Sequence, residues 1–273
     1  MRIVNKLAVA VVLGLGLGCG PVQDADVAGG DIASYDLGGD DIVSQIERDY
    51  GGPNGLMDFF VSHSEDEIRQ AMAQYGVGYK VHDVGTASLT SNLISDCPKY
   101  FPSGDRSKWH NFDGEYYFIE TYGRPYRAYK YLPPISAAPR VDSCQTSVGQ
   151  WGDAENPSND YDGGHMIGSQ LGGWGGRANL VPQDANFNRG NWLQLENKMA
   201  LCKSLPNGRM RYYIGSNYPN STALIPNTMT MQITNQSTGA SVSLSFTNVD
   251  YGGPNGTSQR TTGVNWLTSQ GCN

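Results

Sequence analysis

Residues 160–200 read DYDGGHMIGS QLGGWGGRAN LVPQDANFNR GNWLQLENKM A, and this stretch decides the fold. It has a Gly-rich polar half and a helical half. Asp184 can cap a helix, and Phe187, Trp192, Leu195 and Met199 follow at five-, three- and four-residue steps, close to one helical face. Pro206-Asn207-Gly208 ends the run. The pattern predicts a helix from Asp184 to about Cys202. Asn188 and Glu196 lie eight residues apart on it, about 80° around the axis, one side seen two turns along. His165, one of four histidines, sits at the edge of the Gly-rich turn. A helix crossing a His-bearing strand presents an imidazole, an amide oxygen and a carboxylate to one cleft.

These groups suit one another chemically. A neutral imidazole is a general base near pH 7. An amide oxygen is a hard ligand suited to Mg²⁺, which keeps most of its waters and needs few protein ligands. A carboxylate can hold one of those waters. A base beside a water-rich Mg²⁺ matches phosphodiester hydrolysis.

The order of submotifs adds a resemblance. Asp162 to Ile167, Gly172-Gly173, Asn179 to Gln183, Asn188 to Trp192 and Leu195-Glu196 resemble the ββα-metal DNA/RNA non-specific endonucleases, the Serratia-type superfamily, in its bacterial secreted branch. The similarity runs from about Tyr116 to Asn248. It implies an Mg²⁺-dependent (or Mn²⁺-dependent) endonuclease acting on DNA and/or RNA and leaving 5′-phosphates. It implies His165 as general base and Asn188 as the direct metal ligand. Glu196 would hold metal-bound water, and Asn179 would bond near the histidine or the phosphate. Many relatives carry a phosphate-contacting arginine where this chain has Gly163, and another where it has Ala200. Arg189 is the first candidate for the missing cation and Arg177 the next. The two absences also motivate an alternative, a catalytically degenerate nuclease fold used as a surface nucleic-acid-binding module. A nuclease deployed as a weapon would have an immunity or inhibitor protein as partner.

Outward from this unit, Tyr116 to Ile119 and Tyr126 to Leu132 read as strands around a Gly-Arg-Pro turn at 123–125. Residues 209–248 alternate as strands do, and residues 141–182 read as irregular. The fold class is therefore α+β, a ββα-metal core with an antiparallel sheet and a central loop–helix catalytic unit. Ser64, Glu65 and Glu67 predict one helix near 65–75. The expected organisation is an export signal over 1–19, an acidic flexible linker over 20–54, an N-terminal extension with one helix over 55–109, and the endonuclease domain over 110–273. The heptapeptide Asp-Tyr-Gly-Gly-Pro-Asn-Gly occurs at both 49–55 and 250–256. Two copies make no repeat architecture.

Composition agrees with export. Charged residues are 16 % of the 273, against roughly 25 % in a typical domain, and glycines number 35. That excludes coiled coils and helical solenoids. The net charge of −7 is concentrated in residues 20–75, with twelve acids and two bases, and the rest of the body is near neutral. Such an arm could screen a polyanion-binding cleft. Met1 to Gly18 is a basic start followed by a short apolar run, as in an exported protein. Cys19 stands where a bacterial lipoprotein would be cleaved and anchored to a membrane; the alternative is simple secretion. Cys97, Cys144, Cys202 and Cys272 remain, enough for two disulfides in any of three pairings.

Overall fold

The computed structural model describes residues 41–82, 97–132, 137–138, 140–202 and 210–273. The expected export signal with Cys19, and residues 20–40 of the expected linker, lie outside the described residues. The architecture is α+β. A seven-stranded sheet runs in the order β1 (Gly78–His82), β2 (Lys108–Phe112), β3 (Glu115–Ile119), β4 (Pro125–Leu132), β7 (Met210–Asn217), β8 (Thr228–Asn235), β9 (Ser241–Thr247). All neighbours are antiparallel except the parallel pair β1 and β2. Between the paired strands β4 and β7 the chain leaves the sheet and builds α4 (Asp142–Glu155), the hairpin β5 (Tyr161–His165) and β6 (Leu180–Asp184), the helical turn α5 (Ala185–Phe187) and α6 (Leu193–Cys202).

Strand periodicity divides the core in two. Tyr117, Ile119, Ala128, Tyr212 and Ile214 face the excursion, where they meet Met166, Ile167, Val181, Trp192 and Leu195. Tyr116, Phe118 and Tyr129 face the other way, onto α1 (Ile42–Asp49), α2 (Pro53–Ser62) and α3 (Glu65–Ala73). Side chains alternate across a strand, so a sheet buried on both faces needs apolar residues at nearly every position, and β3 is buried throughout.

The N-terminal expectations need correction. The expected linker is helical from Ile42, with Val43 and Ile46 fully buried. Arg127 of β4 pairs with Asp41 and Glu47, which ties α1 to the sheet. Three helices precede β1, where one was expected; Ser64 does cap α3, in a reciprocal pairing with Glu67. The boundary at 109/110 falls inside β2. The acidic residues within 42–73 lie on the sheet face opposite the excursion, so this part of the arm does not screen a cleft there.

Residues 141–182 are not irregular either. Helix α4 hides from a periodicity reading because its buried face is Cys144, Val148, Gly149 and Gly152. The helix expected from Asp184 to Cys202 is interrupted. Asp184 caps it through Phe187 N–H at 3.0 Å, and Gly190 (φ −104°, ψ −106°) then opens a wide turn over Asn188–Trp192 before α6. The C-terminal α7 (Gly256–Ser269) packs on β9. The disulfides are Cys97–Cys144, which holds α4, and Cys202–Cys272, which ties the end of α6 to the chain after α7.

Candidate active site

His165 ends β5, Asn188 and Arg189 lie on the wide turn, and Glu196 is on α6. All four line one cleft of about 600 Å³, which α4 and Arg140 complete. The histidine is held from behind. Asn179 is fully buried, accepts from Ile167 N–H at 2.8 Å, and donates to Ile167 O at 2.8 Å and Trp174 O at 2.7 Å. The loop after it is anchored to the sheet. Lys130 of β4 pairs with Glu115 and donates to Gly172 O at 2.8 Å, while Glu115 accepts from Trp174 N–H at 2.8 Å.

The imidazole is 7 % exposed. Burial, and after it the charge of Arg140, pull its pKa down to about 4, so the ring is neutral at pH 7. Gln145 of α4 sets the tautomer. Its Nε2 donates to Gly163 O at 3.2 Å and to His165 Nδ1 at 3.4 Å. Nδ1 therefore accepts, and the ring proton sits on Nε2, which is buried without a hydrogen-bond partner among the described residues.

Glu196 is 6 % exposed and packs against backbone, since a Cβ on Gly168 would meet its carboxylate at 2.6 Å. Burial raises its pKa to about 8; Trp192, the Gly168 N–H, Arg140 and Gln170 pull in the opposite direction, and Oε1 lacks a hydrogen-bond partner among the described residues. Asn188 Nδ2 donates to Asp162 Oδ2 at 2.8 Å, which leaves its Oδ1 as the free acceptor. An amide oxygen and an unsatisfied carboxylate oxygen on one cleft are a hard donor set that fits Mg²⁺. Among the described residues no three His, Cys, Asp or Glu side chains cluster as a metal cage, which an ion retaining most of its waters does not need.

Residues 106–237 match the family model of the DNA/RNA non-specific endonucleases. This segment is a DNA/RNA non-specific endonuclease domain. None of the curated proteins compared matches the chain. Among solved structures, EndoG in complex with EndoGI is 16 % identical, with 58 % of this chain and 81 % of that one covered and a TM-score of 0.37. NucA from Streptococcus agalactiae without metal is 16 % identical, covering 61 % and 93 %, with a TM-score of 0.36. NucA with a magnesium ion bound is 16 % identical, covering 51 % and 83 %, with a TM-score of 0.36.

Within the endonuclease domain the structure gathers His165, Asn188, Arg189 and Glu196 on one cleft, and Asn179 bonds beside the histidine's strand. Asn179 lies behind the cleft as a positioning residue and is not on its wall. Arg189 is exposed, but its guanidinium is tied to Asp162 by Nε at 2.9 Å and Nη2 at 2.5 Å. Arg177 is buried and spent on the carbonyls of Pro98, Lys99 and Leu180. Ala200 packs against the main core. The cation that sequence reading missed is Arg140. It is exposed on the cleft, donates from Nε to Ser169 Oγ at 2.9 Å, and has no carboxylate partner among the described residues. Gln145 was missed too. Neither belongs to a submotif; the one sequence clue was the pair Gly149 and Gly152, which lets α4 lie against β5.

Proposed function

We propose that the chain is an exported, Mg²⁺-dependent endonuclease that hydrolyses phosphodiester bonds of DNA and/or RNA without sequence preference and leaves 5′-phosphates. The convergence of His165, Asn188 and Glu196 on one cleft of the endonuclease domain carries this reading. Neutral His165 takes a proton from the attacking water at Nδ1, the unprotonated ring nitrogen, where the water displaces the long 3.4 Å contact from Gln145. Arg140 places a positive charge where the substrate phosphate would enter, the task Gly163 and Ala200 cannot perform. Asn188 would hold Mg²⁺ with Glu196 behind it, and the ion when bound would neutralise charge on the phosphate and the leaving oxygen. Two disulfides suit an oxidising compartment, and no described helix is long and apolar enough to cross a membrane. Export by the N-terminal signal, with Cys19 as an optional membrane anchor, belongs to the same proposal, and so does an inhibitor protein as partner, since EndoG was solved with EndoGI.

The test is digestion of plasmid DNA and of RNA with Mg²⁺ or EDTA, beside His165→Ala. Mg²⁺-dependent cleavage lost in the variant supports the reading. A folded protein that cuts neither substrate with Mg²⁺ or Mn²⁺ overturns it. That result would favour the degenerate binding module, which the tied Arg189 and the side-chain-free Gly163 recommend; such a module would hold nucleic acid equally well in EDTA.

A further inference from the structure

The heptapeptide at 250–256 repeats residues 49–55 letter for letter, and the two copies share the conformation of their paired glycines while differing at the tyrosine. The paired glycines match: φ is 81° and 90° at Gly51 and Gly52, and 84° and 81° at Gly252 and Gly253. The final glycine of each copy lies under the tyrosine carbonyl, where a Cβ would stand 1.8 Å from Tyr50 O or 1.9 Å from Tyr251 O. The tyrosines differ. Tyr50 has φ −93° and packs its ring on Phe59, centroids 4.6 Å apart. Tyr251 has φ 52°, and the residue is 55 % exposed. A bulky L residue adopts that left-handed conformation at a cost. The other described non-glycine residues at positive φ are Ser107 and Asp113.

The seven residues are identical, so the difference comes from their surroundings: Tyr50 closes helix α1, whereas Tyr251 follows strand β9 and meets the active-site turn. Asn191, 4 % exposed, donates from Nδ2 to Tyr251 O at 2.6 Å. Asn191 belongs to the wide turn that carries Asn188 and Arg189. A Cβ on Gly190 would stand 3.6 Å from Tyr251 Cδ1, so the ring lies against the residue that follows Arg189. The active-site turn thus bonds the strained backbone of Tyr251 and flanks its ring, which is left in water. An exposed ring held at its backbone is a feature on which an unpaired base stacks, and a base paired within a duplex withholds its face.

We propose that Tyr251 is a stacking platform for a substrate base, so that the cleft takes single-stranded or locally unpaired nucleic acid in preference to duplex. The proposal rests on the nuclease reading above. Its test is equilibrium binding of the purified full chain in EDTA, where nothing is cut, to a fluorescein-labelled thymidine dodecamer and to a duplex of the same length. Wild type, Tyr251→Phe and Tyr251→Gly are compared, with thermal unfolding of each. The expected result is tighter binding of the single strand by wild type, retained in Tyr251→Phe. In Tyr251→Gly the single-strand affinity falls about tenfold, the duplex affinity stays level, and the Tm is unchanged or higher because glycine accepts φ 52°. An unchanged single-strand affinity in Tyr251→Gly overturns the proposal. Equal loss on both probes, or loss accompanied by a lower Tm, does so as well. Cleavage of a single-stranded circle with Mg²⁺ is run beside it. Failure there removes the nuclease reading without touching the binding comparison.

Discussion

A Cβ added to Gly163 would stand 2.2 Å from the carbonyl oxygen of Gln145. Strand β5 and helix α4 are therefore in backbone contact, and position 163 is closed to any side chain. Gly163→Ala should destabilise the fold by about 2 kcal/mol, the usual cost of overpacking a tight contact. Gly163→Arg should fail to fold and should not restore activity. Urea unfolding midpoints check the first and circular dichroism the second. An unshifted midpoint for Gly163→Ala would show that α4 can move away.

Gln145 reaches the base without belonging to any submotif. Gln145→Leu keeps the bulk and loses the donor, which frees the imidazole to place its proton on Nδ1. We expect kcat to fall about tenfold with KM nearly unchanged, because the loss falls on proton transfer and spares binding. Nitrogen NMR of the His165 ring reads the tautomer directly. A variant with unchanged ring shifts and unchanged kcat contradicts the assignment.

With Mg²⁺ saturating, so that the ion keeps Glu196 ionised, the acidic limb of the kcat/KM profile should fall near pH 4, the pKa to which burial brings His165. Arg140 also disfavours the imidazolium, so Arg140→Ala should raise the His165 pKa and move this limb to higher pH, while weakening KM. Stability carries the matching sign. Below the ordinary histidine value of 6.5 the unfolded chain takes up protons that folded His165 refuses until about pH 4, so stability is lost as pH falls through that window. His82 and His110, 2.9 Å apart between Nε2 and Nδ1 and both brought to about 4 chiefly by burial, add to the loss. Thermal unfolding between pH 7 and pH 4 measures it.

Glu196 works in the opposite sense. Its folded pKa is raised from 4.5 to about 8, so the protonated carboxyl is the form the fold accepts, and stability is lost as pH rises through that interval. Glu196→Gln should stabilise the metal-free protein at pH 8 by roughly 4 kcal/mol and at pH 5 far less, while abolishing Mg²⁺-dependent cleavage. An equal gain at both pH values would mean that the charge is not the cause.

The site was legible where chemistry is written as residue type and spacing, and illegible where it depends on backbone proximity. His165, Asn188 and Glu196 announce themselves by motif order, and Ser64 and Asp184 by capping. Strands β3 and β4 show as aromatic-rich runs around a Gly-Arg-Pro turn, and β7 to β9 follow from alternation. Helices α4 and α7 bury glycines, Gly149 and Gly152 in one and Gly256 and Gly263 in the other, so neither shows an apolar stripe. Helix α1 was hidden by the acidic composition around Val43 and Ile46. The burial of Arg177 and the ion pair of Arg189 with Asp162 could not be read from sequence, because both are tertiary facts.

The sheet also works as a partition. Asp41 and α1 pack on one of its faces through Arg127, and the excursion bearing His165 packs on the other. A molecule held by whatever precedes Asp41 would be gripped on its back, leaving its cutting side turned outward. Fusion partners or capture tags placed at that end should accordingly leave access to long polymers intact, whereas bulk attached near Arg140 should obstruct it.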